Sequence, residues 1–414
     1  MKIEIDTVKG FQDYLPPESL KRKKIVETAE KYFELYGFFP IETPIIEYEE
    51  LMKSPNLPSE GEDEAVADRF KLQDRGGRNL GLRYEFTFQL QRILKQNPNL
   101  KMPFKRYQIG QIFRDEPIRQ GRTRQFTQCD IDIIGDSSIN ADAECISCIT
   151  DILKALGIKD FQIQLNSRKL LNAIVESVEI KNTKQVLREL DKMQKIGEDA
   201  VKLNLRKYTT PNQIITLLKL LDKPLDFFIE NAFDGAKELQ GLISLCTLYG
   251  LKTIFNPYMV RGFAYYTGNI FEITKEGKNS IVGGGRYDNS VGKYLNREIP
   301  AVGISFSIEA LSALCSEEIS LLKIKETSKC LIISISEDKE SISLAQKLRK
   351  RSISCILTFG QITKQLEYAN SQKIPYVIFI GESEIQKKKF KLKDMNSGKE
   401  ELLTEKSLIL KLSK

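Results

Sequence analysis

Phe104-Lys105-Arg106-Tyr107-Gln108-Ile109-Gly110-Gln111-Ile112-Phe113-Arg114 and Gln125-Phe126-Thr127-Gln128-Cys129-Asp130-Ile131-Asp132-Ile133-Ile134-Gly135 are two alternating stretches joined by the polar segment Asp115 to Arg124. Alternation at period two is the mark of a strand whose faces see different surroundings. Gly121 in the connector is a turn signal. Parallel neighbours need a crossover of roughly a dozen residues or more, usually helical, so two strands around this short connector make an antiparallel hairpin. That reading sets the fold class as α+β, with an antiparallel sheet as its centre.

Upstream, Ser19 to Tyr36 has helical periodicity and ends at Gly37, the residue expected just past a helix. Phe38 to Ile46 is an extended segment whose Pro40 and Pro44 confine it to an edge or an interface. Leu80 to Tyr84 reads as a short strand running into Glu85 and a helix from Thr87 to Gln96. Downstream come a helix from Ala141 to Leu156 and a strand from Phe161 to Leu165. The pattern is then helical from about 168 to 244, as in an inserted module. Strands are expected again at Met259 to Tyr266, Ile270 to Ile273, Asn279 to Gly284 and Val302 to Phe306, the last leading into a helix from Ile308 to Leu314. After a charged connector, Cys330 to Ile380 alternates strands with helices of about 10–15 residues, which implies a small parallel-type α/β domain. The domains expected are therefore 1–325, with the insertion at about 168–244, and 328–414.

The hairpin is chemically unusual. Arg106, Arg114, Arg119, Arg122 and Arg124 are interleaved with Asp115 and Glu116. Guanidinium groups grip phosphate in a bidentate fork, although a salt-bridged surface hairpin is the commoner fate of such a cluster. The second strand puts Gln128, Asp130 and Asp132 on one face of an otherwise apolar run, and buried polar groups need partners, of which a ligand is one. No GxxxxGK[ST] loop is present, so any phosphate binding is not of the P-loop kind. Gly283-Gly284-Gly285 is too short for a dinucleotide fingerprint and reads as a close backbone approach.

Composition narrows the chemistry. The 414 residues are 41% hydrophobic and 29% charged, as in ordinary globular proteins, and no stretch approaches the ~18 apolar residues of a membrane span. The N-terminus has no apolar leader, so a cytoplasmic protein is expected. The net charge of +7 is compatible with a polyanionic partner. Lys387, Lys388, Lys389, Lys391 and Lys393 form either a solvated loop or a footprint for phosphates. The seven cysteines are odd in number and scattered, which suits a reducing compartment, and Cys145 and Cys148 read as helix core. There is no histidine at all, which excludes a Ser-His-Asp triad, a Cys-His dyad and any histidine metal site.

Phe113-Arg114-Asp115-Glu116, the loop after it and Phe126 resemble motif 2 of the class II aminoacyl-tRNA synthetases, and Pro44 in its extended segment resembles their motif 1. Lys9-Gly10-Phe11-Gln12-Asp13-Tyr14-Leu15-Pro16-Pro17, Val260-Arg261-Gly262-Phe263-Ala264-Tyr265-Tyr266-Thr267-Gly268 and Gly283-Gly284-Gly285-Arg286-Tyr287-Asp288 narrow the resemblance to the histidyl-tRNA synthetase family. In the second of these Ala264 stands where aspartate is usual. Arg83 to Thr87 and Gln128 to Asp132 are more similar to the archaeal and eukaryotic branch than to the bacterial one. The resemblance covers the whole chain, the last domain being similar to the family's α/β anticodon-binding module.

This resemblance implies a class II antiparallel sheet flanked by helices, and ligation of L-histidine to tRNA(His) through a histidyl-adenylate with ATP and Mg2+. It places Arg114 on the α-phosphate, Glu116 on the adenine amino group, Arg122 on the polyphosphate and Phe126 against the adenine ring. Arg261 faces Arg114 and touches the α-phosphate and the histidine carboxylate. Glu85, Thr87 and Gln128 surround the α-ammonium; Asp132, Tyr265 and Tyr266 surround the imidazole. The metal ligands are left unassigned, and a homodimer is implied through the Pro44 segment. Motif 3 departs from the family pattern: Ala310 replaces an arginine that contacts ATP, and Ser307 a glycine, a loss expected to cost roughly 2–4 kcal/mol of transition-state stabilisation. The alternative is a synthetase-like regulator that binds histidine or tRNA. Finally, a synthetase without histidine could be translated when histidine runs out.

Overall fold

The chain divides into two units, residues 1–322 and 323–414, in a computed structural model that describes residues 5–52, 68–118, 123–261, 265–275, 279–292, 295, 297–320 and 328–413. The first unit carries β1 (Phe39–Pro40), β2 (Ile46–Tyr48), β3 (Lys71–Gln73), β4 (Asn79–Leu82), β5 (Phe104–Phe113), β6 (Gln125–Ile134), β7 (Phe161–Ser167), β8 (Thr253–Phe255), β9 (Asn269–Lys275), β10 (Asn279–Arg286) and β11 (Ala301–Ser307). Eight of these form one sheet in the order β1-β5-β6-β11-β10-β9-β7-β8, and β2-β4-β3 form a small separate one. Every pairing from β5 to β7 is antiparallel, while the edge strands β1 and β8 are parallel to their neighbours. Pro40 sits in the two-residue edge strand, where its missing N–H costs no ladder bond.

The hairpin of β5 and β6 runs in unbroken register from Phe104 opposite Ile134 to Phe113 opposite Gln125. Its alternation sorts the two faces. Cys129, Ile131, Ile133, Val302, Ile304 and Phe306 are buried on one side. The helices Glu18–Leu35, Ile139–Ala155 and Ile308–Leu314 pack there. Cys145 and Cys148 are buried and unbridged in the second of these helices. The other side carries the polar residues. Residues opposite one another across a pairing share a face, so the register gives two polar rungs. One reads Gln108, Asp130, Ser305, Gly283, Glu272 across β5-β6-β11-β10-β9; the next reads Arg106, Asp132, Gly303, Gly285, Ile270.

Among the described residues, 168–248 contain only helices, from Arg168–Ser177 to Ala236–Leu248. The expected strand from Met259 to Tyr266 is not there: Met259 to Arg261 and Tyr265 to Thr267 are irregular, and the strand in this region is the three-residue β8. Arg261 has φ +61°, a left-handed conformation that no strand accommodates. Residues 262–264 lie outside the described residues.

The second unit contains β12 (Cys330–Ser334), β13 (Cys355–Phe359), β14 (Tyr376–Ile380), β15 (Phe390–Asp394) and β16 (Glu400–Leu403), ordered β13-β12-β14-β15-β16. The first three are parallel, as the alternating sequence implied, and β15 and β16 add an antiparallel edge. Apolar clusters lie on both faces, one built on Ile332, Leu344 and Leu408, the other on Leu331, Ile333 and Ala369. Lys391 and Lys393, read as part of a basic run, belong to β15, and each has its ammonium 3.6 Å from Glu400. Among the described residues, no helix is long and apolar enough to cross a membrane.

Candidate functional site

The polar face of the large sheet gathers most of the residues singled out above. At one end, β5 runs out into Arg114. Its guanidinium carbon lies 4.4 Å from the ring centre of Tyr84 and 5.2 Å from that of Phe126. Its Nε donates to the Tyr84 carbonyl at 3.3 Å, and Nη1 is 4.0 Å from Glu116. Tyr84 in turn donates its hydroxyl to Glu116 at 3.3 Å. Arg114, Glu116 and Phe126 thus form one cationic and aromatic corner. Arg119 and Arg122 lie outside the described residues. Arg124 meets the bland expectation, since its guanidinium pairs with Asp115 at 3.1 Å on a part-exposed surface.

Further along the face lies a carboxylate-rich pocket. Glu85 comes from the turn before the helix Phe88–Gln96 and is buried. It accepts from the Phe88 backbone N–H at 2.5 Å and from the Thr87 side chain, while Tyr265 donates to it at 3.5 Å. Burial pushes the Glu85 carboxyl up to about 7, against these donors. Gln128 donates its amide to Asp130 at 2.9 Å. Burial also holds Asp130 well above the usual carboxylate range, only partly opposed by Arg106. Asp132 pairs with Arg106 at 2.5 Å and accepts from the Tyr287 hydroxyl. Its carboxyl is raised by burial and held down by those two partners.

Tyr265, Tyr266 and Tyr287 close the pocket. Ring centres are 4.9 Å apart for the first pair and 5.8 Å for Tyr265 and Tyr287. Arg261 reaches in from the irregular segment, with Nη1 bonded to Glu272 at 3.0 Å. Burial works against its charge, but Tyr266 and Glu272 outweigh that and keep the guanidinium firmly protonated. Three glycines make the room. A Cβ at Gly283 would fall 1.9 Å from Arg261 Nη2, one at Gly303 would fall 2.1 Å from Asp132 Oδ1, and one at Gly285 would fall 2.7 Å from the Tyr266 ring. The floor of the pocket is therefore bare backbone.

Arg114, Glu116, Phe126, Glu85, Thr87, Gln128, Asp132, Arg261, Tyr265 and Tyr266 are joined by these bonds, ring contacts and rungs on one side of the first unit. The sequence reading put Asp130 on the polar face without a role there, and did not assign Arg106, Glu272 and Tyr287 a place in the pocket. Pairing the hairpin residue by residue would have placed Arg106 opposite Asp132; no such signal pointed to Glu272. Where β11 ends, the Ala310 N–H donates to Ser307 Oγ at 3.0 Å, which caps the helix Ile308–Leu314. Glu309 accepts from Arg22 at 2.7 Å and from the Thr127 N–H at 2.9 Å. Among the described residues, no cluster of three or more Asp, Glu or Cys side chains converges as an ion site.

Residues 10–311 match the family model described as Histidyl-tRNA synthetase, and residues 329–414 the one described as Anticodon binding domain. Histidine--tRNA ligase 1 of Bacillus cereus is 38% identical over 96% of this chain and 95% of its own. Histidine--tRNA ligase of Wolinella succinogenes is 37% identical over 95% of this chain and 94% of its own. The crystal structure of histidyl-tRNA synthetase from Nostoc sp. PCC 7120 superposes with a TM-score of 0.84 at 29% identity, covering 100% of this chain and 99% of that one. With the antiparallel sheet and the anticodon-binding domain both in place, the chain belongs to the histidyl-tRNA synthetase family.

Proposed function

We propose that this protein joins L-histidine to tRNA(His) in two steps, and that the sheet face just described carries out the first. The observation that carries this reading is the glycine-floored pocket, which puts Arg261 over Gly283 and the Asp132 carboxylate over Gly303, with the buried Glu85 joined to it through Tyr265. In the first step the histidine carboxylate attacks the α-phosphorus of ATP, giving histidyl-adenylate and pyrophosphate. In the second, a hydroxyl of the terminal ribose of the tRNA attacks the acyl carbon and AMP leaves.

The first step gathers negative charge on the phosphate oxygens, and fixed cations lower its barrier without a general base. Arg114 and Arg261 are those cations. Glu116 and Phe126 hold the adenine, with Arg122 on the outer phosphates. ATP would enter as its magnesium complex, the ion adding positive charge beside the phosphates. Glu85, with Thr87 and Gln128, takes the α-ammonium, and Asp132, Tyr265 and Tyr266 take the imidazole. A pocket of this polarity rejects apolar side chains, which would leave its buried groups unpaired. Residues 329–414 read the anticodon, the working form is a cytoplasmic homodimer joined through the Pro44 segment, and 168–244 is an insertion in a catalytic domain that spans 1–325. The similarity to histidine--tRNA ligases along nearly the whole chain, with the anticodon-binding domain included, favours the enzyme over the regulatory alternative.

The test is histidine-dependent exchange of pyrophosphate into ATP. The protein should exchange with histidine and with none of the other amino acids, and the Arg261→Ala variant should lose most of the rate. Intact histidine binding without exchange in the unaltered protein would turn the assignment towards the regulator.

A further inference from the structure

Arg106 is the largest fully buried side chain among the described residues, and its place is not that of an ordinary structural ion pair. It sits on the polar face of β5, directly across the ladder from Asp132. One Nη bonds Asp132 Oδ2 at 2.5 Å and reaches the Phe86 carbonyl at 3.4 Å. Phe86 lies between Glu85 and Thr87. A single guanidinium therefore touches both the carboxylate at the imidazole end of the pocket and the turn that carries the carboxylate at the ammonium end. The other Asp132 oxygen accepts from Tyr287. Among the described residues, Nε and Nη1 of Arg106, Oδ1 of Asp130 and Oε1 of Gln108 are buried without a partner. A ladder optimised only for stability would not leave these on two adjacent rungs.

We infer that Arg106 is a positioning residue for histidine: with Tyr287 it holds Asp132 ionised and fixed in orientation, so that Asp132 accepts the imidazole N–H.

The chemistry requires such a device. A protonated carboxyl presents a donor on one oxygen and is a poor acceptor for an N–H. Asp132 is fully buried, on the same face of β6 as Asp130, and burial favours its neutral form. Arg106 is the cation that opposes it. Two bonds from Arg106 and Tyr287 still leave acceptor capacity on the carboxylate for a ligand. Gly303 clears the space, because any side chain there would collide with Asp132 Oδ1.

The inference rests on the reading of this pocket as the histidine site. The experiment measures pyrophosphate exchange as a function of histidine, ATP and pH in the full chain and in its Arg106→Leu, Arg106→Lys and Tyr287→Phe variants. If the unaltered protein does not exchange with histidine, the functional reading fails before Arg106 is at issue. If it does, Arg106→Leu should raise the KM for histidine by about 30-fold or more, the scale of breaking a buried charge pair. The KM for ATP should stay within about twofold, since the corner of Arg114 and Phe126 is untouched. The variant's kcat/KM for histidine should keep climbing to a higher pH than that of the unaltered protein, as Asp132 without its cation regains its charge later. Arg106→Lys should recover part of the loss, and Tyr287→Phe should give a smaller rise in the same KM. Should Arg106→Leu not fold, the lysine and phenylalanine variants carry the test alone. A histidine KM unmoved in the folded variants, or a KM for ATP that rises in parallel, would overturn the assignment.

Discussion

Gly283 lies directly beneath the guanidinium of Arg261: a Cβ at position 283 would stand 1.9 Å from Nη2 and 2.2 Å from Cζ. Neither end of this contact has room to give. Arg261 is fixed by Glu272 on the neighbouring strand, and Gly283 is locked in register between Ser305 and Glu272. Position 283 therefore admits no side chain while Arg261 is in place. Its φ is not in the left-handed region, so the demand is for space and not for backbone freedom.

Gly283→Ala should displace Arg261 and lower the kcat of pyrophosphate exchange roughly 100-fold, the scale of losing one preorganised charge at the reacting centre. The fold should survive, with about 1–3 kcal/mol lost to overpacking. Exchange kinetics beside urea unfolding separate the two effects. A kcat near that of the unaltered protein would show that Arg261 works from a different position.

Glu85 gives the site a proton to release. Its carboxyl is pushed up to about 7 by burial, so near neutral pH the empty pocket holds it in both forms. An α-ammonium beside it favours the anion. Histidine binding at pH 7 should thus expel roughly half a proton, and binding should weaken by up to about tenfold per unit below pH 7. The sign for stability runs the other way. Folded Glu85 keeps a proton that the unfolded chain gives up near 4.5, so the empty protein loses stability as pH rises from about 4.5 to about 7. Calorimetry of histidine binding in two buffers of different ionisation enthalpy measures the release, and Glu85→Gln should abolish it.

What could be read from the sequence depended on whether the decisive contact was local. The hairpin was legible because alternation over ten residues on each strand admits one pairing. Gln128 and Asp132 were legible as polar interruptions of an apolar face. Met259 to Tyr266 misled because methionine, valine and tyrosine suit a strand, whereas the left-handed φ of Arg261 is imposed by what the side chain must reach. Strand β15 was hidden because Lys391 and Lys393 look like a solvated run until Glu400 is placed opposite Lys393 and within reach of Lys391. Arg106 stood in the hairpin's arginine cluster without a role of its own, since a buried guanidinium and a surface one read alike until the register is known.

Arg22 ties the helix Glu18–Leu35 to the far end of the sheet. It donates to Glu309 at 2.7 Å and to the Thr127 hydroxyl at 2.9 Å, and it lies over the Tyr14 ring at 3.8 Å. Glu309 has only 6% of its side chain exposed, so removing its cation leaves a carboxylate with few partners. Arg22→Ala should therefore cost about 2–3 kcal/mol, somewhat less than breaking a fully buried pair. Urea unfolding at neutral pH reads this directly. A loss under about 0.5 kcal/mol would place the pair among ordinary surface contacts.

Position 310 tests how the nucleotide is held. Ala310 lies in the first turn of the helix Ile308–Leu314, with its N–H capped by Ser307, and it follows the Glu309 that Arg22 already occupies. The resemblance to motif 3 makes an ATP-contacting arginine the residue expected here. Ala310 is part-exposed, so a longer side chain can leave the core. A cation in the first turn of a helix is mildly unfavourable, by about 0.3–1 kcal/mol, which is small beside what a phosphate contact returns. Ala310→Arg should raise kcat/KM for ATP by about 30-fold in pyrophosphate exchange, with the KM for histidine unmoved. An unchanged value would mean that another cation of this chain already neutralises the outer phosphates. Repeating the substitution in an Arg22→Ala background then asks whether Arg22 is that cation: a gain appearing only there identifies it.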